Sequence, residues 1–253
     1  MSRISISIVT YNNRNEIIGV LNSIRHSDDL KEFEIFIVDN CSNDGTADFI
    51  EQEYPECKVL RMTKNLGYGS GHNQAIRIVE SDYHVIINPD IQFAPGTIKQ
   101  FEEYLDANPN VVLISPRVIN TDGSVQNLPR KKPTIKFLLG GLLESKGQMF
   151  KNWRDEFTLA NENIVEPIEI DFCTGCFMFC RTSALQNCNG FDERYFMYGE
   201  DADLTRELQK IGKTMYVPQI EVIHEWKREN RSLKGRLRQV TSMTKYFFKW
   251  GLK

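Results

Sequence analysis

The sequence predicts an α/β protein with a mostly parallel central sheet covered by helices on both faces. Two observations carry this. Short apolar runs recur through the first 116 residues with helix-length stretches between them, and each run ends in a cluster of polar residues. At 253 residues the chain is long enough to bury a full core.

The elements follow in order. Ile4, Ile6 and Ile8 alternate into a turn at Thr10-Tyr11-Asn12, and a helix is expected around 14–26. FEIFIVDN (33–40) reads as a second strand, and CKVLRM (57–62), YHVIINPD (83–90) and VVLISP (111–116) repeat the pattern. Helices are expected near 44–53, 71–80 and 95–107. After 117 the alternation breaks. NTDGSV (120–125) resembles a hairpin turn, RKKP (130–133) a basic loop, and 134–160 a mixed helical insert of weak period. Regular structure returns with a strand at 172–180, a helix from 201, and strands MYVP and IEVIHE within 215–225. No repeat or low-complexity linker divides the chain.

Composition narrows the function. The net charge of −3 speaks against a nucleic-acid partner, but its distribution is uneven. From Lys227 to Lys253 nine Lys/Arg face one acid, +8, which leaves −11 for the first 226 residues. ISISIVTY is too short and too polar for a signal-peptide core, and FLLGGLL (137–143) is far below membrane-spanning length. A cytoplasmic location is expected. Six cysteines then read as reduced thiols, and CTGCFMFC (173–180) as a buried strand, because no second Cys/His pair with zinc spacing accompanies it.

Ligands of parallel sheets collect at the carboxyl ends of the strands. There the sequence places Thr10-Tyr11-Asn12, Asp39-Asn40, Asn65-Leu66-Gly67 and Asn88-Pro89-Asp90. Asp39 can accept a hydrogen bond from a base or ribose, or brace the turn at Asn43-Asp44-Gly45. NLGYGSGHN (65–73) brings Gly67, Gly69 and Gly71 around a helix start, which suits either a phosphate or a plain tight turn. Asp90 is an oxygen ligand for Mg²⁺ or Mn²⁺ bound mainly through a diphosphate, or part of a strand-terminating turn. His224 closes IEVIH as a nitrogen ligand or a packing residue. FMYGEDADLTREL (196–208) sets Glu200-Asp201 at a helix start, where Asp201 and Asp203 suit the helix dipole and Leu204, Leu208 and Ile211 keep core spacing. A carboxylate so placed is a catalytic base or a solvated acidic first turn.

Together these segments carry a resemblance. SIVTYNN (7–13), FIVDNCSNDGT (36–46), NLGYGSGHNQAI (65–76), INPD (87–90), CTGCFMFCRTSAL with GFDERYFMYGEDADL (173–204) and HEWKRENRS (224–232) stand in the order seen in family 2 glycosyltransferases. The chain most resembles the bacterial branch of rhamnosyltransferases that build cell-surface polysaccharides, over roughly residues 3–232.

The resemblance implies a GT-A fold over 1–232, with 1–116 a nucleotide-sugar-binding half and 117–232 an acceptor and catalytic half. It implies a dTDP- or UDP-sugar donor, Mg²⁺ or Mn²⁺, inversion at the anomeric carbon, and a glycan or lipid-linked glycan acceptor. dTDP-rhamnose is the favoured donor; UDP-galactose, UDP-glucose or a UDP-N-acetylhexosamine are the alternatives. Thr10, Tyr11 and Asn12 would line the base and ribose pocket, with Asp39, beside Asn40, accepting from the imide nitrogen of uracil or thymine. Asn65, Gly67 and Asn73 would lie against the ribose and diphosphate. Thr174 and Gly175 would line the sugar or acceptor pocket. Asp90 matches the second carboxylate of the family's Asp-x-Asp metal motif, whose first position here is Asn88, so His224 is expected to assist. Asp201 matches the general base, with Glu200 in support.

The departure at Asn88 keeps a second class in view, a non-catalytic nucleotide-sugar-binding subunit. A Rossmann oxidoreductase would need a glycine fingerprint after the first strand, where Thr10-Tyr11-Asn12 stands instead. Residues 233–253 are expected to form a basic amphipathic helix with Leu233, Leu237, Val240, Thr244, Phe247 and Phe248 along one face, and Trp250 and Leu252 beyond. Such a helix either packs on its own domain or binds the inner membrane surface as a peripheral anchor.

Overall fold

The computed structural model describes residues 3–27, 33–225 and 233–252, the side chains of Leu233, Lys234 and Arg236 excepted. Strands β1 (Ile4–Thr10), β2 (Phe33–Asp39), β3 (Cys57–Arg61) and β4 (Tyr83–Ile87) are parallel, joined through α1 (Ile17–Arg25), α2 (Thr46–Glu53) and α3 (Tyr68–Ile76). Beyond them come β5 (Ile91–Gln92), α4 (Thr97–Ala107), β6 (Val111–Ile119) and β7 (Val125–Gln126), with β7 folding back on β6 across the turn foreseen at 120–125. The insert is a helical hairpin of α5 (Ile135–Leu143) and α6 (Gln148–Phe157). After it lie β8 (Ile168–Glu169), β9 (Phe177–Arg181), α7 (Thr182–Asn187), α8 (Glu200–Leu208), β10 (Lys213–His224) and α9 (Leu233–Trp250).

All ten strands join one sheet, in the order β3-β2-β1-β4-β9-β6-β10-β5, with β7 on β6 and β8 on β10. β9 is antiparallel to both β4 and β6, whereas β10 runs parallel to β6. The ends of β1, β2, β4 and β10 therefore share one edge of the sheet with the start of β9. Every strand-end polar residue singled out in the sequence is delivered to that edge by this arrangement of directions.

The sheet is covered on both faces. Ile4, Ile6, Ile8, Val85 and Ile87 pack with Ile17, Val20, Leu21 and Ile24 of α1 and Ile98, Phe101 and Leu105 of α4. Phe101 stacks on Phe177 and Phe179 of β9 at ring separations of 5.0 and 5.2 Å. On the other face Ile86, Met178 and Cys180 meet Ile76 of α3, Leu185 of α7 and Leu204 and Leu208 of α8. The Ile/Ser alternation of β1 does not divide core from solvent. Ser5 and Ser7 are buried too, and their hydroxyls meet His84 at Nδ1 (2.7 Å) and Nε2 (2.8 Å), with Ser7 reaching His72 Nδ1 at 2.7 Å. Burial pushes His84 down to about 3 and His72 well below its usual range, so both rings serve as neutral hydrogen-bonding groups.

Several boundaries move for identifiable reasons. The strand expected at 172–180 begins at Phe177, because Cys173–Cys176 bend up to the sheet edge. MYVP and IEVIHE are one strand, β10, interrupted by a register shift between Val217 and Glu221 around Pro218, which lacks a ladder N–H. The helix expected at 71–80 starts at Tyr68, directly after Gly67. Among the described residues no helix is long and apolar enough to cross a membrane.

Candidate active site

Thr10 pairs in register with Asp39 at the ends of β1 and β2. Thr10 is buried and Tyr11 stands in solvent, so Tyr11 is the member of this turn that presents a side chain. Asn12 takes a left-handed backbone (φ 57°) and braces the neighbouring loop, its Oδ1 accepting from Asn43 N at 2.8 Å. The two carboxylate oxygens of Asp39 differ. Oδ2 accepts from Ser42 N at 3.1 Å and braces the turn, while Oδ1 is buried with no partner. A buried acceptor left unmatched is costly unless a ligand completes it.

The glycine loop has a different explanation from the expected one. A Cβ on Gly67 would lie 2.2 Å from Phe196 O, one on Gly69 2.7 Å from Phe191 Cβ, and one on Gly71 2.8 Å from Val9 Cγ2. The protein itself crowds all three. Two amides at the start of α3 are also occupied: Gly67 N donates to Asn65 Oδ1 at 2.9 Å and Tyr68 N to Phe196 O at 3.0 Å. Asn40 and Asn73 are likewise spent on structure. Asn40 Nδ2 donates to Gly67 O at 3.0 Å, and Asn73, 1% exposed, bonds both Phe191 N and O and reaches Glu193. These two asparagines hold the loops that shape the cleft.

At the next strand end Asn88 N donates to Cys176 O at 2.9 Å, which ties the Asn88-Pro89-Asp90 segment to the bend holding Thr174 and Gly175. Asp90 meets His224 from the end of β10: Oδ1 and Nε2 are 3.2 Å apart. Both atoms are buried and neither makes a hydrogen bond. The His224 tautomer follows from its other neighbour. Gln126 Nε2 donates to His224 O at 3.0 Å and to Asn120 Oδ1 at 2.7 Å, so the amide oxygen is the atom facing His224 Nδ1 at 3.1 Å. Nδ1 thus carries a proton, and a neutral ring would turn the Nε2 lone pair toward Asp90. Two converging lone pairs fit a cation. Among the described residues no group of three or more His, Cys, Asp or Glu forms a metal cluster. The pair thus suits an ion that takes its remaining oxygens from a diphosphate and water.

Facing this edge, Gly199 (φ 84°) turns the chain into α8 and sets Glu200 and Asp201 on its first turn. Asp201 is not the plainly solvated carboxylate expected from sequence. Burial raises it, whereas the Arg130 guanidinium and two backbone amides favour its ionised form: Gly175 N donates to Oδ2 at 3.2 Å and Ala202 N to Oδ1 at 2.9 Å. Glu200 is 4% exposed with Oε2 unpartnered, and burial followed by the Asp201 charge pushes it up to about 8. Burial thus favours a proton on Glu200 at neutral pH, whereas Arg130 and the two amides oppose the upward push of burial on Asp201. Tyr68, whose hydroxyl burial keeps protonated, donates to Gly175 O and fixes the peptide that clamps Asp201.

Three residues of consequence escaped the sequence reading. Arg130 had been no more than part of a basic loop; it packs on Phe157 and Phe172 (5.6 and 5.3 Å to the ring centroids), with Nε unpartnered and its guanidinium drawn down to about 10 by burial. Gln126 carried no signal. Asp203 is 1% exposed and receives Trp250 Nε1 at 2.6 Å and Lys249 Nζ at 2.8 Å, so it anchors α9 instead of facing solvent. On α9, Tyr246 and Ser242 are buried and Met243, Phe247 and Trp250 pack beside them, while Leu237, Val240 and Phe248 of the expected stripe point outward. The Leu233 side chain and residues Trp226–Ser232 of HEWKRENRS lie outside the described residues.

Comparison with known proteins accords with this geometry. The model of the family described as glycosyl transferase family 2 matches residues 5–188. The N-acetylglucosaminyl-diphospho-decaprenol L-rhamnosyltransferase of Mycobacterium tuberculosis is 33% identical over 205 residues, 75% of this chain and 66% of that one. Rhamnosyltransferase WbbL of Escherichia coli is 28% identical over 201 residues, 74% of this chain and 68% of its own. The chain thus spans about two thirds of the length of these relatives. Among solved structures, Staphylococcus aureus TarS 1–349 in complex with UDP-GlcNAc superposes with a TM-score of 0.65 at 17% identity, over 97% of this chain and 66% of that one. Mannosyltransferase PcManGT from Pyrobaculum calidifontis, in complex with GDP-Man and Mn²⁺, gives 0.66 at 17% identity, over 98% and 63%. The fold is of GT-A type, and the chain belongs to glycosyl transferase family 2.

Proposed function

We propose that the protein is an inverting glycosyltransferase that moves a sugar from a nucleoside diphosphate to the hydroxyl of a lipid-linked glycan in cell-surface polysaccharide synthesis. dTDP-rhamnose is the favoured donor, supported by the names of the mycobacterial and E. coli relatives. The observation that carries the proposal is the Asp201 carboxylate, clamped by the Gly175 and Ala202 amides at the edge where Asp39, Asp90 and His224 converge.

Each residue then has a task. Asp39 Oδ1 accepts the imide N–H of uracil or thymine, beside Tyr11, and 1–116 forms the donor half. Asp90 and His224 would hold Mg²⁺ or Mn²⁺ against the diphosphate; when bound, the ion neutralises charge gathering on the leaving oxygens. A diphosphate leaves without a proton, so no acid is needed, and a single base on the opposite face of the sugar gives inversion. Asp201 takes the proton from the acceptor hydroxyl as it attacks. Neutral Glu200 spares Asp201 a second negative neighbour, and Arg130 keeps it ionised. The acceptor enters through the 117–232 half, and the basic residues of α9 would add to contact with the cytoplasmic face of the membrane.

The test is transfer from dTDP-rhamnose, and from UDP-sugars in parallel, to a lipid-diphosphate-linked N-acetylglucosamine with Mn²⁺ or Mg²⁺ present. Inverted product from dTDP-rhamnose is expected. Nucleotide-sugar binding without transfer or hydrolysis of any donor would instead mark a non-catalytic binding subunit.

A further inference from the structure

The α5–α6 hairpin carries a stripe of uncovered apolar side chains that no other element packs against among the described residues. α5 reads IKFLLGGLL, with one charge and no other polar residue, but only Phe137 and Gly140 of it are buried. The inner face has no room to take more. Phe137 stacks on Phe157 at 5.2 Å, and a Cβ on Gly140 would lie 2.9 Å from Trp153 Cβ, so the two helices already touch backbone to backbone. Ile135, Leu139 and Leu142, at helical spacing i, i+4, i+7, are left 42%, 38% and 48% exposed, and Met149 on α6 is 53% exposed. A continuous stripe of this kind marks an interaction surface.

Charge identifies the occupant. From Lys131 to Phe157 the chain holds six Lys/Arg and three acids, Glu144, Asp155 and Glu156, a net +3, inside a first 226 residues that sum to −11. Lys136 and Lys151 pair with Glu156 and Asp155 on the hairpin, while Lys146 on it and Lys132 just before it are exposed with no ion pair among the described residues. Apolar side chains flanked by cations match the boundary between acyl chains and anionic headgroups. A second copy of the chain would set one net-positive surface against another. The placement suits the same partner: the aromatic cluster of Phe137, Phe157 and Phe172 continues into Tyr246 and Ala202, next to Asp201, so the hairpin stands beside the base.

We infer that the α5–α6 hairpin docks on an anionic bilayer, with Ile135, Leu139 and Leu142 entering the interface and the lysines meeting headgroup phosphates. The docking deepens the reading of a lipid-linked acceptor, on which its use in the reaction rests: it sets Asp201 at the membrane surface, where a lipid diphosphate would present its sugar. It also assigns the primary contact to the insert and leaves α9, half of it packed on α8, a secondary one.

Vesicles of phosphatidylcholine with and without phosphatidylglycerol test it by co-sedimentation of the full chain. The parent should bind the anionic vesicles and be released in part by salt. Leu139→Asp with Leu142→Asp should weaken binding by about tenfold or more, with thermal midpoint and nucleotide affinity unchanged. Lys132→Glu with Lys146→Glu, a wholly exposed pair, should remove the preference for anionic lipid, so a folding defect in the first variant leaves the matter decidable. The proposal is overturned if these variants bind like the parent, if Phe248→Asp on α9 alone abolishes binding, or if the stripe instead drives dimerisation that Leu139→Asp dissolves. A chain that binds vesicles through the hairpin but glycosylates only soluble glycans would sink the lipid-linked acceptor while the docking surface stood.

Discussion

His224 Nε2 and Asp90 Oδ1 stand 3.2 Å apart at the ends of two different strands, both buried, with no hydrogen bond between them. The contact is within ion-pair range, and Gln126 holds one ring proton on Nδ1, so a neutral His224 would turn a lone pair toward that of Asp90. A cation between them would match that arrangement.

On the proposed reading Gln126 should govern metal affinity without touching the metal. Gln126→Leu keeps the volume and removes the acceptor that orients the ring, and Mn²⁺ should bind about 10–100-fold more weakly, the usual worth of such an outer partner. Titration calorimetry with Mn²⁺ and dTDP reads this directly. Unchanged affinity would mean that His224 is not a ligand.

Arg130 should set the acid limb of turnover. Transfer needs ionised Asp201, so kcat rises with pH through the Asp201 pKa, which burial raises and the Arg130 charge lowers. In Arg130→Leu the lowering influence is gone and the limb should move to higher pH. A limb that stays in place, or moves lower, would free Asp201 from Arg130.

Glu200 should make the protein weaker in alkali. Its folded-state pKa, about 8, lies above the ordinary 4.5, so the folded state binds the proton more tightly than the unfolded chain. Stability from this source is complete below about 4.5 and is lost as pH rises through about 8. Glu200→Gln should flatten the fall in thermal midpoint across that window. If parent and variant lose stability in parallel, the proton is not on Glu200.

Asp203 ties α9 to the catalytic helix, and Asp203→Ala should cost about 1–3 kcal/mol. The cost stays moderate because Lys249 keeps Glu207 at 2.9 Å. Urea denaturation measures it. Removing residues from Leu233 onward should cost more, because Tyr246 and Trp250 leave with the helix.

What the sequence disclosed was local. Strand period, and the polar residues at strand ends, are written in consecutive positions, so Thr10, Asp39, Asp90, Asp201 and His224 were legible and the sheet brings their segments to one edge. Gln126 and Asp203 were not: the first acts on a residue 98 positions away and the second on one 46 positions away, and no spacing rule reaches that far. Gly67, Gly69 and Gly71 announced a close approach but not of what, since a glycine records missing volume only. The α9 stripe misled for a related reason. Helical spacing says which residues share a face, but which face is buried was decided by the unseen anchor at Asp203.

The central claim is that Asp201 alone takes the acceptor proton. Asp201→Asn preserves shape and keeps one of the two amide hydrogen bonds, from Gly175 or Ala202, and the donor contacts lie on other residues, so donor affinity, measured by calorimetry, should stay within a few-fold of the parent. Single-turnover transfer should fall by roughly 10²–10⁴-fold. Transfer at near-parent rate with donor binding intact would contradict the account and leave the base to be found elsewhere.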